Sequence, residues 1–194
     1  QGLRSVALRP GGLWGPGQNS LMIVRFVEQL AAGRFKLLIG DGSRVLDNTH
    51  VENAVDAHLL AAQKLRETPE IVGGQAYFVT DAEPMNGLDW FRPLVEGLGH
   101  VWPRLRVPGW LMYRIADALE WDHFLRDSGA GPQPALTRRG VLNLIRDGSF
   151  CIEKARRDLG YRPRIQAAEG LPAVLPDARE IYARQLAALA EKGT

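Results

Sequence analysis

Apolar and polar positions along the chain change period repeatedly, and the changes mark its elements. Leu3, Val6, Ala7 and Leu8, with Arg4 and Ser5 between them, predict a strand over residues 3–9. Leu21, Val24, Val27, Leu30 and Ala31 then recur at helical spacing, with Asn19 or Ser20 placed to cap the helix and Gly33 at its C′ position. Phe35–Ile39 reads as a short strand ended by the turn Gly40-Asp41-Gly42. Arg44–Val51 is extended and leads into a helix to about Arg66, with Val51, Ala54, Val55, Leu59, Ala62 and Leu65 on its buried side. Thr49 and Glu52 have capping-box spacing at its start. Pro69 breaks the chain before a strand over Gly74–Thr80 and a polar turn over Asp81–Asn86. A helix follows over Leu88–Leu98, where Pro93 fits only in the first turn. Trp102–Val107 is extended, and Pro108 opens an amphipathic helix to about Leu125. Asp127–Pro134 is a Gly/Pro loop, a candidate lid. Helices over Thr137–Ile145, Glu153–Leu159 and Pro176–Lys192 complete the pattern, with Ser149–Ile152 extended and Gly160 closing the second of them.

Alternating strands and helices indicate an α/β fold. Only residues 3–9 and 74–80 look long and buried, too few for a doubly wound sheet. Gln1, not Met, opens almost directly into the first strand. These two facts give the expectation that N-terminal strands are missing from this chain. Residues 1–194 are then the C-terminal part of one α/β domain, with no separate second domain.

Composition narrows the function classes. With 45% hydrophobic and 24% charged residues and a formal net charge of +2, the chain has no basic excess suited to nucleic acid. Cys151 is the sole cysteine, so no internal disulfide forms, which fits a cytoplasmic location. No apolar run reaches the roughly 18–20 residues of a membrane span, and no signal peptide is expected. The helix after Pro108 could lie on a membrane surface, but its polar face is not rich in Lys and Arg, which favours packing on the core or a partner. Asp47, His50 and Asp56 make no compact three-ligand set, so no metal is expected.

The stretch with most chemistry is Leu8-Arg9-Pro10-Gly11-Gly12-Leu13-Trp14-Gly15-Pro16-Gly17. A buried strand ends there in a loop whose glycines permit unusual turns and whose prolines stiffen it. Ligands of open α/β sheets bind outside the carboxyl ends of strands. The glycine spacing is not that of a dinucleotide-phosphate cradle, and no helix opens directly from it.

Four motifs in one order resemble extended short-chain dehydrogenases. Leu8-Arg9-Pro10 followed by Trp14-Gly15-Pro16-Gly17 is similar to "LRP…YGPG". Gly40-Asp41-Gly42 followed by Val51, Asn53 and Ala57-His58 is similar to "GDG…V-D-N…A-H". Gly74–Asp81 is similar to the "G-x-x-Y-x-I-x-D" strand, and Lys154–Pro163 to the closing "KA-x-x-x-LGY-x-P". Within that group the chain most resembles the 3β-hydroxysteroid dehydrogenase/isomerase family, sterol-4-carboxylate 3-dehydrogenases included. The resemblance implies the C-terminal portion of a Rossmann-like doubly wound sheet with a small substrate-binding subdomain.

It also implies NAD or NADP as cofactor and a sterol-like alcohol as substrate, in steroid biosynthesis. On that basis Pro10, Gly11 and Gly12 are expected beside the cofactor, and Trp14, Gly15, Met22 and Leu46 beside the substrate. Leu46 stands where sugar-nucleotide members carry a phosphate-contacting Arg, which favours an apolar substrate. Arg44, two residues away, shares a strand face with it. No residue of this chain is expected to be catalytic. The family's N-terminal glycine motif is absent, and none of Tyr77, Tyr113, Tyr161 and Tyr182 has Lys four residues later. The alternatives are a sugar-nucleotide epimerase or dehydratase, and a non-catalytic module for an apolar ligand or partner. A homodimer is also compatible.

Overall fold

A computed structural model describes residues 3–17, 21–127, 134 and 136–192. In chain order the elements are β1 (Ala7–Pro10), β2 (Gly12–Trp14), α1 (Leu21–Ala31), β3 (Leu38–Ile39), β4 (Val45–Leu46), β5 (Asn48–His50), α2 (Val51–Glu67), α3 (Pro69–Val72), β6 (Ala76–Val79), β7 (Met85–Asn86), a 3-10 turn (Asp89–Phe91), α4 (Arg92–Gly97), β8 (Arg106–Val107), α5 (Gly109–Asp127), α6 (Arg138–Ile145), α7 (Glu153–Leu159) and α8 (Ala167–Lys192). They group into two compact units. Unit 1 holds residues 1–32, 47–85 and 149–194; unit 2 holds 33–46 and 86–148. The expected caps Asn19 and Ser20, and most of the expected loop over residues 127–134, lie outside the described residues.

Unit 1 is built on parallel strand pairs. β1 pairs with β6 from Ala7↔Ala76 to Pro10↔Val79. One residue later the chain changes partner, and β2 pairs with β5 from Gly12↔Asn48 to Trp14↔His50. Gly11 is the step between them. A Cβ there would fall 2.3 Å from the Asp47 carbonyl oxygen, so only glycine permits this approach.

Helices cover the strands with small residues. Ala57 and Ala61 of α2 and Ala155 and Leu159 of α7 bury Tyr77, Val79 and Tyr161 in one cluster. α1 packs on α8. The buried apolar side chains of α8, Ala167, Leu171, Val174, Ala178 and Ile181, repeat at four- and three-residue intervals, one stripe of the helix.

α8 begins well before Pro176, the expected start. Pro172 and Pro176 both lie inside it. Proline inside a helix removes a backbone donor; here the stripe of five buried side chains outweighs that cost. At the start of α2 the Nδ1 of His50 accepts the Glu52 N–H at 3.2 Å. Thr49, the expected cap, instead donates its hydroxyl to the Val79 carbonyl at 2.8 Å. Gly33 and Gly160 adopt left-handed conformations at φ +66° and +72°, as their places after helices require.

Unit 2 has shorter strands. β3 pairs in parallel with β8. α5 packs on α6. Thr137 caps α6 by accepting the Gly140 N–H at 3.1 Å. Pro93 sits in the first turn of α4, as expected. No described helix is long and apolar enough to cross a membrane.

Candidate functional site

The carboxyl end of β1 is shaped by hydrogen bonds rather than by free donors. The Gly11 N–H is shared between Thr49 Oγ1 at 2.8 Å and the Val79 carbonyl at 3.2 Å. It is therefore occupied within the fold. Pro10, one residue before, is exposed and has no N–H to satisfy. Gly12 is exposed too, and Met22 Sδ lies 3.6 Å from where its Cβ would be. Pro10, Gly12 and the half-buried Met22 therefore gather at the end of β1.

Trp14 and Gly15 do not join them. Trp14 is 0% exposed. Its Nε1 donates to Asp81 Oδ2 at 2.7 Å, and its ring meets His50 edge-on at 4.7 Å. The far edge of the indole lies against Gly170, where a Cβ would fall 2.6 Å from the ring. The expectation that Trp14 lines a substrate pocket is thus corrected: the side chain is core and presents no surface. Gly15 is buried at φ +147° against Val51 Cγ1 and His50, so it too serves packing.

Asp81 is the centre of this buried group. Its Oδ1 accepts the His50 backbone N–H and Asn53 Nδ2, each at 2.7 Å. Burial pushes its carboxyl up from the ordinary value of 3.8, against the pull of the Asn53, His50 and Trp14 donors. Asn53 also donates to the Ile165 carbonyl and accepts the Arg164 and Ile165 N–H groups. Asn53 figured in the sequence only as a motif letter. Asp81 figured as a turn residue and as the last letter of the third motif.

The closing motif is structural, as its residues suggest. Leu159 and Tyr161 are buried, and the Tyr161 hydroxyl donates to the Thr80 carbonyl at 3.0 Å. Lys154 reaches Gln75 Oε1 at 2.7 Å and lies 4.8 Å over the Tyr77 ring.

On an exposed part of unit 1, Phe78 and Phe150 stack at 4.6 Å, with the Arg9 guanidinium 5.8 Å from the Phe78 ring. Asp47 is buried. Its Oδ2 accepts the Phe150 N–H at 3.0 Å, while Oδ1 has no protein partner among the described residues.

In unit 2, Leu46 is half-buried, packed against Gly87 and Gly148. A Cβ on Gly87 would meet Leu46 Cδ1 and Arg44 Nη1 alike, at 2.7 Å each, so the two side chains do share a face. Arg44 donates its Nε to the Arg146 carbonyl at 2.6 Å. No group of three or more metal-ligating side chains is present among the described residues.

The family profile of 3-beta hydroxysteroid dehydrogenase/isomerase matches residues 1–108. The chain belongs to the 3β-hydroxysteroid dehydrogenase/isomerase family. Short-chain dehydrogenase/reductase family 42E member 1 of Danio rerio is 41% identical over 168 residues, which are 86% of this chain and 43% of that protein. Its Homo sapiens counterpart is 41% identical over 161 residues, 82% of this chain and 41% of that protein. A Mycobacterium tuberculosis protein described as 3 beta-hydroxysteroid dehydrogenase/Delta 5→4-isomerase is 37% identical over 176 residues, 90% of this chain and 46% of that one. The chain thus spans less than half the length of these relatives.

Among solved structures, a UDP-glucuronic acid 4-epimerase from Bacillus cereus, in complex with UDP-glucuronic acid and NAD, aligns with a TM-score of 0.56 at 19% identity. The alignment covers 91% of this chain and 46% of that one. A UDP-glucose 4-epimerase from Thermotoga maritima gives 0.57 at 20% identity, over 92% of this chain and 47% of that one. At such identities the likeness is one of fold: an α/β, Rossmann-like architecture, as the sequence implied.

Proposed function

We propose that this chain is the substrate-side, C-terminal part of an NAD(P)-dependent oxidoreductase acting on a sterol-like secondary alcohol. The observation that carries this reading is the family match over residues 1–108. The 37% identity to the Mycobacterium tuberculosis protein, itself described as a hydroxysteroid dehydrogenase, supports the choice of alcohol. The apolar Leu46, packed between two glycines, supports it further.

The residues present fit only the nicotinamide end of a dinucleotide. Pro10 offers a flat apolar surface at the carboxyl end of β1, and Gly12 leaves the main chain open beside it. The occupied Gly11 N–H is no phosphate donor. When bound, the cofactor would accept the hydride. Pro10, Gly11 and Gly12 shape that wall in unit 1, with Met22 on the substrate side.

The test is steady-state kinetics on the full-length protein, following reduction of NAD or NADP with a 3β-hydroxysteroid. Turnover of the steroid with no epimerisation of UDP-sugars is expected. UDP-sugar epimerisation without steroid oxidation would overturn the reading. Leu46→Arg should weaken steroid binding by between about fivefold and a hundredfold or more, the equivalent of roughly 1–3 kcal/mol for a charge at a partly buried apolar site. An unchanged KM would mean that Leu46 does not meet the steroid.

A further inference from the structure

Unit 2 carries an open surface pocket of about 600 Å³ whose lining includes Arg44, Arg138, Arg139 and Arg146, with Asn143 and Tyr113. Four arginines face two carboxylates there, Glu120 and Asp147. Both carboxylates already have work. Glu120 accepts the Arg138 backbone N–H at 2.7 Å and its Nε at 2.6 Å, and Asp147 accepts the Val45 N–H at 2.8 Å. Arg138 is further held by Asp117 at 3.0 Å. Arg139 and Arg146 make no ion pair among the described residues. The lining therefore carries net positive charge in a concave space, with two guanidinium groups unspent. Guanidinium forks match carboxylate, sulfate and phosphate oxygens in two-point geometry.

A second pocket of about 340 Å³ adjoins it, sharing Glu120 and Arg138 and lined by Trp121, His123 and Phe124. Its walls are largely aromatic. We propose that the arginine-lined pocket binds an oxyanion group, such as a sulfate, phosphate or carboxylate, carried on a small molecule whose apolar body lies toward Trp121 and Phe124. The placement of Arg44 agrees. Burial draws its guanidinium down from the ordinary value, and a bound anion would restore it. The choice of a steroid as the apolar carrier rests on the reading proposed above; the anion site itself is read by binding and not by turnover.

The test is calorimetric titration of the full-length protein, with saturating NAD or NADP to fill any dinucleotide site. The probes are dehydroepiandrosterone sulfate, unsulfated dehydroepiandrosterone and UDP. The sulfate should bind at least tenfold more tightly than the unsulfated steroid. Arg139→Gln with Arg146→Gln should abolish that preference without lowering the melting temperature, since neither side chain holds the fold. Equal binding of the two steroids, or a preference that survives the double variant, would overturn the site. UDP binding more tightly than the sulfated steroid, and lost in the double variant, would overturn the apolar carrier while leaving the anion site in place.

Discussion

The two units of this chain reach order by different means. Unit 1 buries large side chains and polar ones together: Trp14, Tyr77 and Tyr161 lie beside Thr49, His50, Asn53 and Asp81. All the buried polar residues among those described belong to it. Unit 2 buries a smaller set, chiefly Leu38, Trp90, Leu94, Val95, Ala116 and Val141. Its α5 leaves Trp110, Trp121, Phe124 and Leu125 exposed. Both units carry surface ion pairs, such as Arg138 with Glu120 and Asp117 in unit 2 and Arg164 with Asp56 in unit 1. Buried polar groups fix a single arrangement, because each lost partner leaves a desolvated atom behind. Surface pairs are screened and give little. Unit 1 is therefore the more sequence-demanding part, and unit 2 the part more tolerant of substitution.

That contrast can be broken by mutation. The largest effect should come from Trp14→Ala, which empties a fully buried site and frees Asp81 Oδ2. A loss of roughly 3–5 kcal/mol is expected in denaturant melts of the full-length protein. A loss below about 1 kcal/mol would show that unit 1 tolerates a cavity at its centre.

Asp81→Asn comes next. It sets an amide among donors from Trp14, His50 and Asn53, so at least one goes unmatched, at about 1–3 kcal/mol. It should also remove a pH dependence. The folded carboxyl titrates above the unfolded 3.8, so between these values the folded state holds more protons. Stability should therefore fall as pH rises through that window and level off above it. Asp81→Asn should flatten this slope in melting temperature measured across the acid range. A parent profile that rises with pH there would mean the three donors outweigh burial.

Smaller effects belong to unit 2. Thr137→Ala removes the cap of α6 and should cost about 1 kcal/mol in the same melts. Arg126→Gln breaks the exposed pair with Asp122, 2.8 Å long, and should leave the melting temperature unchanged. A large loss from Arg126→Gln would erase the distinction between the units.

Much of the helical frame was legible in the sequence. α2, α6 and α7 match their expected spans to within a residue or so, because periodicity and caps such as Thr137 and Gly160 are local signals. α8 starts at Ala167, upstream of the expected start at Pro176, because the buried stripe that carries it through Pro172 and Pro176 is visible only once α1 is in place. The glycine-rich loop is legible in the sequence, but what Gly11, Gly12 and Gly15 face is not: they lie against Asp47, Asn48 and Val51 in turn. The Trp14–Asp81 bond joins residues 67 apart, and Phe78 and Phe150 meet only in the fold. No spacing rule covers such pairs. The arginine-lined pocket was hidden for the same reason: Arg44 lies just before β4, Arg138 and Arg139 at the start of α6, and Arg146 after its end.

The side chain of Asn53 imitates a stretch of main chain. Its oxygen receives two successive peptide N–H groups, from Arg164 and Ile165, while its nitrogen returns a hydrogen to the Ile165 carbonyl. Residues 164–165 thus dock on it much as one strand docks on another, with a single amide standing in for the partner. An aspartate would fill the same space, yet would offer oxygen where Ile165 and Asp81 both need hydrogen. Polarity pattern, not shape, makes this position intolerant of its nearest isostere, and through it a residue of α2 dictates where the chain turns toward its final helix.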